Sequence, residues 1–193
     1  MALEKKGSGA IYLTVTNGAF VRQVMEATSE SVTRVNKIGR TVHEVFYRKL
    51  TATLTSIEVN ENDYGKLLSI KCKDDGSAYV INMPYSSRYS TSILKAIPNI
   101  VISQPVAMLA WQMNDKNDPT KKISGITCYQ ENDAGMEVKI LPYYTKDEPK
   151  GLPQMKKIKV KGKDVWDDTE MMDFLVKEAV LVFSNESEEE APF

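Results

Sequence analysis

Between Thr41 and Val59 the chain spells one long strand with a fault in it. Phe46, Leu50, Ala52 and Leu54 alternate with Tyr47, Lys49, Thr51, Thr53 and Thr55. That period of two sends one set of side chains to a core and the other to solvent. Past Ser56 the apolar phase flips to Ile57 and Val59. One extra residue in the strand, a β-bulge, keeps both apolar sets on the same core. A strand this long and this bent serves two neighbours at once, which points to a curled antiparallel sheet.

The flanking pattern supplies the neighbours. Upstream, Ala10–Thr16 and Ala19–Val24 flank Asn17-Gly18, a two-residue hairpin signal, because both turn positions need positive φ. Glu26 to Arg40 is polar and aperiodic and reads as a connector. Downstream, Leu68, Ile70 and Cys72 alternate with Ser69, Lys71 and Lys73, and a turn at Asp74-Asp75-Gly76 leads to a third strand, Ser77–Met83. Ser87–Ile97 has helical apolar spacing and ends at Pro98. Val106–Met113 and Ile123–Gln130 are the fourth and fifth strands, followed by a turn at Asp133–Gly135 and a short run from Met136 to Leu141. Three strands, a helix and two strands is the order of an OB-fold, a five-stranded, partly open barrel whose long first strand joins both halves. The same alternation is compatible with another small antiparallel barrel or sandwich. The expected organisation is a mainly β chain: an N-terminal hairpin extension over 1–40, an OB-fold core over 41–145, a basic loop and C-terminal helix over 146–183, and a disordered acidic tail over 184–193.

The last part differs in kind. Lys146 to Lys163 is rich in proline, glycine and lysine; Asp168 or Thr169 then caps a helix with Met172, Leu175, Val176, Ala179 and Phe183 on one face. Charge divides here too. Up to Lys163 there are 24 Lys and Arg against 16 Asp and Glu; from Asp164 onward there is one lysine against ten acids. A basic body with an acidic end suits a polyanion-binding domain tethered to its own competitor.

Several function classes find no support. The longest apolar run, Met171 to Phe183, is shorter than the roughly 18 residues of a membrane span and carries Asp173, Lys177 and Glu178, so no membrane partner is expected. The start, with Lys5 and Lys6 and no apolar stretch, does not read as a signal peptide. Cys72 and Cys128, far apart in strand-like runs, are expected to be reduced core residues. One histidine, His43, leaves no histidine cluster for a metal and no Ser-His-Asp triad. Asp167, Asp168 and Glu170 are explained by helix capping, and no phosphate-loop pattern is present. No enzyme, metal or cofactor is expected.

Binding remains. OB barrels that hold single strands without base preference combine a basic groove with aromatic rings on which bases stack. The candidates are Tyr47 and Lys49 on the first strand, Lys71 and Lys73 on the second, Trp111 near the end of the fourth, and Lys116, Lys121 and Lys122 in the following loop. Trp111 shares the phase of Leu109, so its place in the core or on the binding face is open at this stage.

The C-terminal residues Glu188-Glu189-Glu190-Ala191-Pro192-Phe193 sharpen the expectation. This end resembles the acidic tip of bacterial single-stranded-DNA-binding proteins, which close on acids, a small apolar residue, proline and phenylalanine; phage-encoded counterparts also end on acids with an aromatic. The resemblance implies a protein of replication, recombination and repair that coats exposed single-stranded DNA. It also implies recruitment of polymerase, helicase or primase through Glu188, Glu189, Glu190, Pro192 and Phe193. A terminal phenylalanine can fill an apolar pocket while its carboxylate meets a cation and the glutamates meet a basic rim. Ala191 stands where the bacterial tip has isoleucine, and a helix precedes the tip where those proteins have a long linker. These departures favour the phage-encoded type over the bacterial tetramer, place the chain in the host cytoplasm, and leave a homo-oligomer open. A protein-interaction module of a phage or plasmid, without DNA binding, is the alternative, and a small metal-dependent nuclease is a weaker one.

Overall fold

The structure, a computed structural model, describes residues 9–189, and of residues 185–189 the backbone alone. Strands β1 (Ile11–Thr16) and β2 (Ala19–Val24) form the expected hairpin. Its turn has Asn17 at φ 51° and Gly18 at φ 76°, the primed geometry that matches strand twist. Strands β3 (Val32–Val35), β4 (Thr41–Tyr47), β5 (Lys49–Asn62), β6 (Gly65–Asp74) and β7 (Ser77–Pro84) follow. Helix α1 (Arg88–Ala96) leads to β8 (Val106–Asn114), β9 (Lys122–Glu131) and β10 (Glu137–Lys139). A separate hairpin, β11 (Lys156–Val160) and β12 (Lys163–Asp167), precedes α2 (Thr169–Glu189). No helix among the described residues is long and apolar enough to cross a membrane.

Ten strands form one sheet in the order β10-β9-β8-β5-β6-β7-β1-β2-β4-β3. The protein is thus mainly β with a C-terminal helix, and its large sheet is not closed into a barrel. Strand β5 does what its long run predicts. Lys49–Ala52 pair with β8, Thr53–Asn62 pair with β6, and the register shifts between Leu54 and Ser56. The shift lets Leu54 and Ile57, three residues apart, both be buried.

Elsewhere the structure departs from the expectation. The long strand is broken at Arg48, whose carbonyl accepts a hydrogen bond from the Ala110 amide (3.0 Å). Upstream of the break the partners are β2 and β3, and there Val42 and Val45 are buried while Phe46 is exposed rather than in the core. The N-terminal hairpin is built into the main sheet: β1 pairs in parallel with β7, and Leu13, Val15 and Phe20 join the core. The connector contains a strand, β3, and the lysine-rich loop is a hairpin.

The two helices supply the rest of the core. Ser87 caps α1 by accepting the Ser90 amide (3.1 Å), and Ile93, Leu94 and Ile97 are fully buried. On α2, Met172, Leu175 and Ala179 are buried, with Val176 and Phe183 packed against the same core, as the apolar spacing predicts. Asp167 accepts from the Thr169 amide (3.0 Å) at the helix start, while Asp168, expected as a cap, takes the Ser86 hydroxyl (2.9 Å). The helix does not stop near Phe183: the segment expected to be a structureless tail is helical from 184 as far as Glu189. Cys72 and Cys128 are free and buried, and burial pushes both thiols up to about 12.

Candidate nucleic-acid interface

The strand registers bring most of the expected residues onto one outward face. Lys49 lies opposite Leu109, Lys73 opposite Thr53 and Lys71 opposite Ser56, with Trp111 two residues beyond Leu109 on the same side of β8. The opposite face of these strands, with Leu54, Ile70, Met108 and Cys128, is core. Tyr47, registered against Phe20 of β2, lines a hollow of about 170 Å³ with Lys49, Arg22 and Tyr79.

Not every lysine on this face is unengaged. Lys49 pairs with Glu137 (2.5 Å) and Lys71 with Glu58. Exposed pairs of this kind are worth ~0–1 kcal/mol, so a phosphate can compete for either cation. Lys73 has no ion pair among the described residues. The β8–β9 loop is held in shape: the Asp115 amide donates to the Lys121 carbonyl (2.8 Å), and Asp118 takes the Thr120 hydroxyl (2.5 Å). That bond, then the Lys121 ammonium, hold the Asp118 carboxyl below its usual range. Lys121 is therefore tied to Asp118 (2.9 Å), whereas Lys116 in the loop and Lys122 at the start of β9 are exposed and have no ion pair among the described residues.

Trp111 is where the site becomes specific. It lies outside the core cluster, half-buried, and its indole N–H donates to the Thr127 hydroxyl (3.0 Å). A methyl group added at Gly125 would stand 2.8 Å from Cζ2 of the indole. The missing side chain is thus what lets the ring lie close against β9. The Ser92 hydroxyl of α1 accepts the Ile126 amide (2.8 Å) beside it, so helix and strand meet at this point.

From there a groove of about 630 Å³ runs between α1 and β9. That volume is in the range of clefts that hold ligands. Trp111 and Trp166 both line it, with Arg88 and Lys95 from α1, Lys139 from β10, and one acid, Asp168. Lys95 is half-buried with no acidic partner among the described residues, and burial lowers its pKa. The groove therefore combines aromatic surface with a net positive charge. Arg88, Lys95, Lys139 and Trp166 were not among the expected residues. Only Trp166 beside a lysine-rich stretch gave a signal in the sequence; the other three converge through the placement of α1 and β10.

Of the tip residues, Glu188 and Glu189 fall in the last turn of α2, and Glu190, Pro192 and Phe193 lie outside the described residues. Only Asp168 and Met171, at the start of α2, reach the groove. At ~1.5 Å per residue, Glu186 stands roughly 22 Å along the helix from Met171, so the acids up to Glu189 are carried away from it. Among the described residues no group of three or more His, Cys, Asp or Glu is placed to hold a metal ion. Comparison with protein-family models, with curated proteins and with solved structures finds no match for this chain.

Proposed function

We propose that this protein binds single-stranded DNA without base preference, in replication, recombination or repair. The observation that carries this reading is Trp111, an indole close against β9 outside the core and lining a groove with three cations against one acid. Such an arrangement offers a base a ring and its phosphates a counter-charge at once. The order β5-β6-β7-α1-β8-β9, with β5 shared between β6 and β8, supports an OB-type core elaborated by the N-terminal hairpin and β3. The acidic end, together with the resemblance of its last residues, supports a phage-type protein acting in the host cytoplasm.

Intrinsic tryptophan fluorescence titrated with oligo(dT) tests the reading. Single strands are expected to bind more tightly than duplex of equal length, with a salt slope of about −0.7 per phosphate neutralised. Trp111→Ala is expected to weaken oligo(dT) binding by ~1–3 kcal/mol without unfolding the protein. Absence of binding to either DNA at low salt would return the chain to the protein-docking alternative.

The tip would recruit polymerase, helicase or primase through Phe193. Phe193→Ala is expected to leave oligo(dT) affinity unchanged and to abolish co-purification of those partners. Retention of every partner by the variant removes the recruiting role from the tip.

A further inference from the structure

The β11–β12 hairpin stands apart from the main sheet as its own two-stranded sheet, and every residue from Lys156 to Trp166 is exposed. Lys161 (φ 49°) and Gly162 (φ 78°) form its turn, the same primed type that joins β1 to β2. The register gives the hairpin two unlike faces. Lys157 pairs across with Trp166 and Lys159 with Asp164 on one; Ile158, Val160 and Val165 lie on the other.

Two observations give the first face a purpose. Trp166 is 62% exposed, yet it lines the groove that Trp111 lines from β8. An indole left this open is a large apolar surface that its own fold does not use. The second is charge. Lys157 is tied to Asp164 (2.8 Å), whereas Lys159, on the same face, and Lys161, in the turn, carry no ion pair among the described residues. These two unpaired cations add to the positive charge of Arg88, Lys95 and Lys139 in the groove.

We propose that the β11–β12 hairpin is a clamp arm for single-stranded DNA. One base stacks on Trp166 and another on Trp111, the strand runs in the groove between α1 and β9, and its phosphates leave along Lys159 and Lys161. The clamp rests on the single-strand-binding reading. It calls for unstacked bases, because an aromatic ring can take only a base face that no neighbouring base covers. The apolar lining of the groove, which includes Ile140, Pro142, Met155 and Met171, suits base edges and sugars better than a second strand of phosphates.

The chain's two tryptophans make the test direct. In the full-length Trp111→Phe protein all indole fluorescence comes from Trp166, and in Trp166→Phe all of it comes from Trp111. Saturating oligo(dT) is expected to quench both single-tryptophan proteins. Trp166→Ala is expected to weaken oligo(dT) binding about tenfold, the scale of one lost base stack, with the melting temperature unchanged. If Trp111 responds and Trp166 does not, the clamp is wrong and the single-strand reading stands. If neither responds and no oligo(dT) binds, the single-strand reading fails and the clamp falls with it. Equal quenching of Trp166 by duplex and by oligo(dT) would show phosphate attraction without stacking, and would also overturn the clamp.

Discussion

Gly18→Ala is expected to lower the urea midpoint sharply, with a loss on the order of 3–5 kcal/mol assembled from three costs. At φ 76° an L side chain enters the left-handed region, which costs ~1–2 kcal/mol. The new methyl would stand 2.7 Å from the Gln112 backbone nitrogen and 3.0 Å from the Trp111 carbonyl carbon. Neither is the end of a side chain that can swing away, so the hairpin tip must lift from β8 at ~1–3 kcal/mol. Lifting also strains the bond from the Gly18 amide to the Tyr89 hydroxyl (2.8 Å), worth ~0.5–1.5 kcal/mol. Gly76 separates these terms. It too has positive φ, 98°, but a methyl there meets nothing within 4 Å, so Gly76→Ala should carry the backbone cost alone, ~1–2 kcal/mol. Equal shifts for the two variants would mean that the tip is not seated on β8.

Leu175→Ala is the other large effect, expected at about 2–5 kcal/mol because no neighbour can close a cavity at a fully buried site without moving an element. Leu175 sits between Met172 and Ala179 on the stripe by which α2 packs on the core. The helix is also tied at its start, since the Tyr85 hydroxyl donates to Asp173 (2.6 Å) and Ser86 to Asp168. Loosening it should speed amide exchange in α2 and at the mouth of the groove. Leu181, on the same helix but 45% exposed, is the control, and Leu181→Ala should change stability by no more than ~0.5 kcal/mol. Calorimetry showing equal losses would mean that the stripe is not what docks the helix.

Sequence and structure agree most closely where the interaction is local or the pattern unambiguous. The Asn17-Gly18 turn, the phase flip after Ser56, the short helix before Pro98 and the α2 stripe each follow from a few adjacent residues and are found where they were expected. The failures are non-local. Nothing in the residues around Ile11 says that β1 will lie parallel to β7, and the break at Arg48 depends on an amide from β8. The β11–β12 hairpin was legible in principle, since Ile158, Val160 and Val165 alternate with polar residues around Lys161-Gly162. Lysine and proline content masked it. The site divides the same way. Lys49, Lys71 and Lys73 could be assigned to a face by parity along a strand and lie on one face, whereas parity left Trp111 open and only its packing against Gly125 places it outside the core. Arg88, Lys95 and Lys139 meet only because a helix fills the open edge of β9, a matter of packing that no single stretch encodes.

The parallel pairing of β1 with β7 also orders events during synthesis. The first hairpin is made early, but the strand that covers the free side of β1 arrives only with Ser77–Pro84. A lone two-stranded hairpin is marginal in water, and pairing across so long an interval is slow because the intervening chain must first be closed into a loop. During that interval the unpaired amides and carbonyls of β1 are open to the same strand of another nascent chain. Once β7 docks that side of β1 is covered, and the finished sheet ends in β10 and β3, three and four residues long, edges too short to template much. The hazard of self-association thus belongs to the growing chain, and completion of the seventh strand is the moment that removes it.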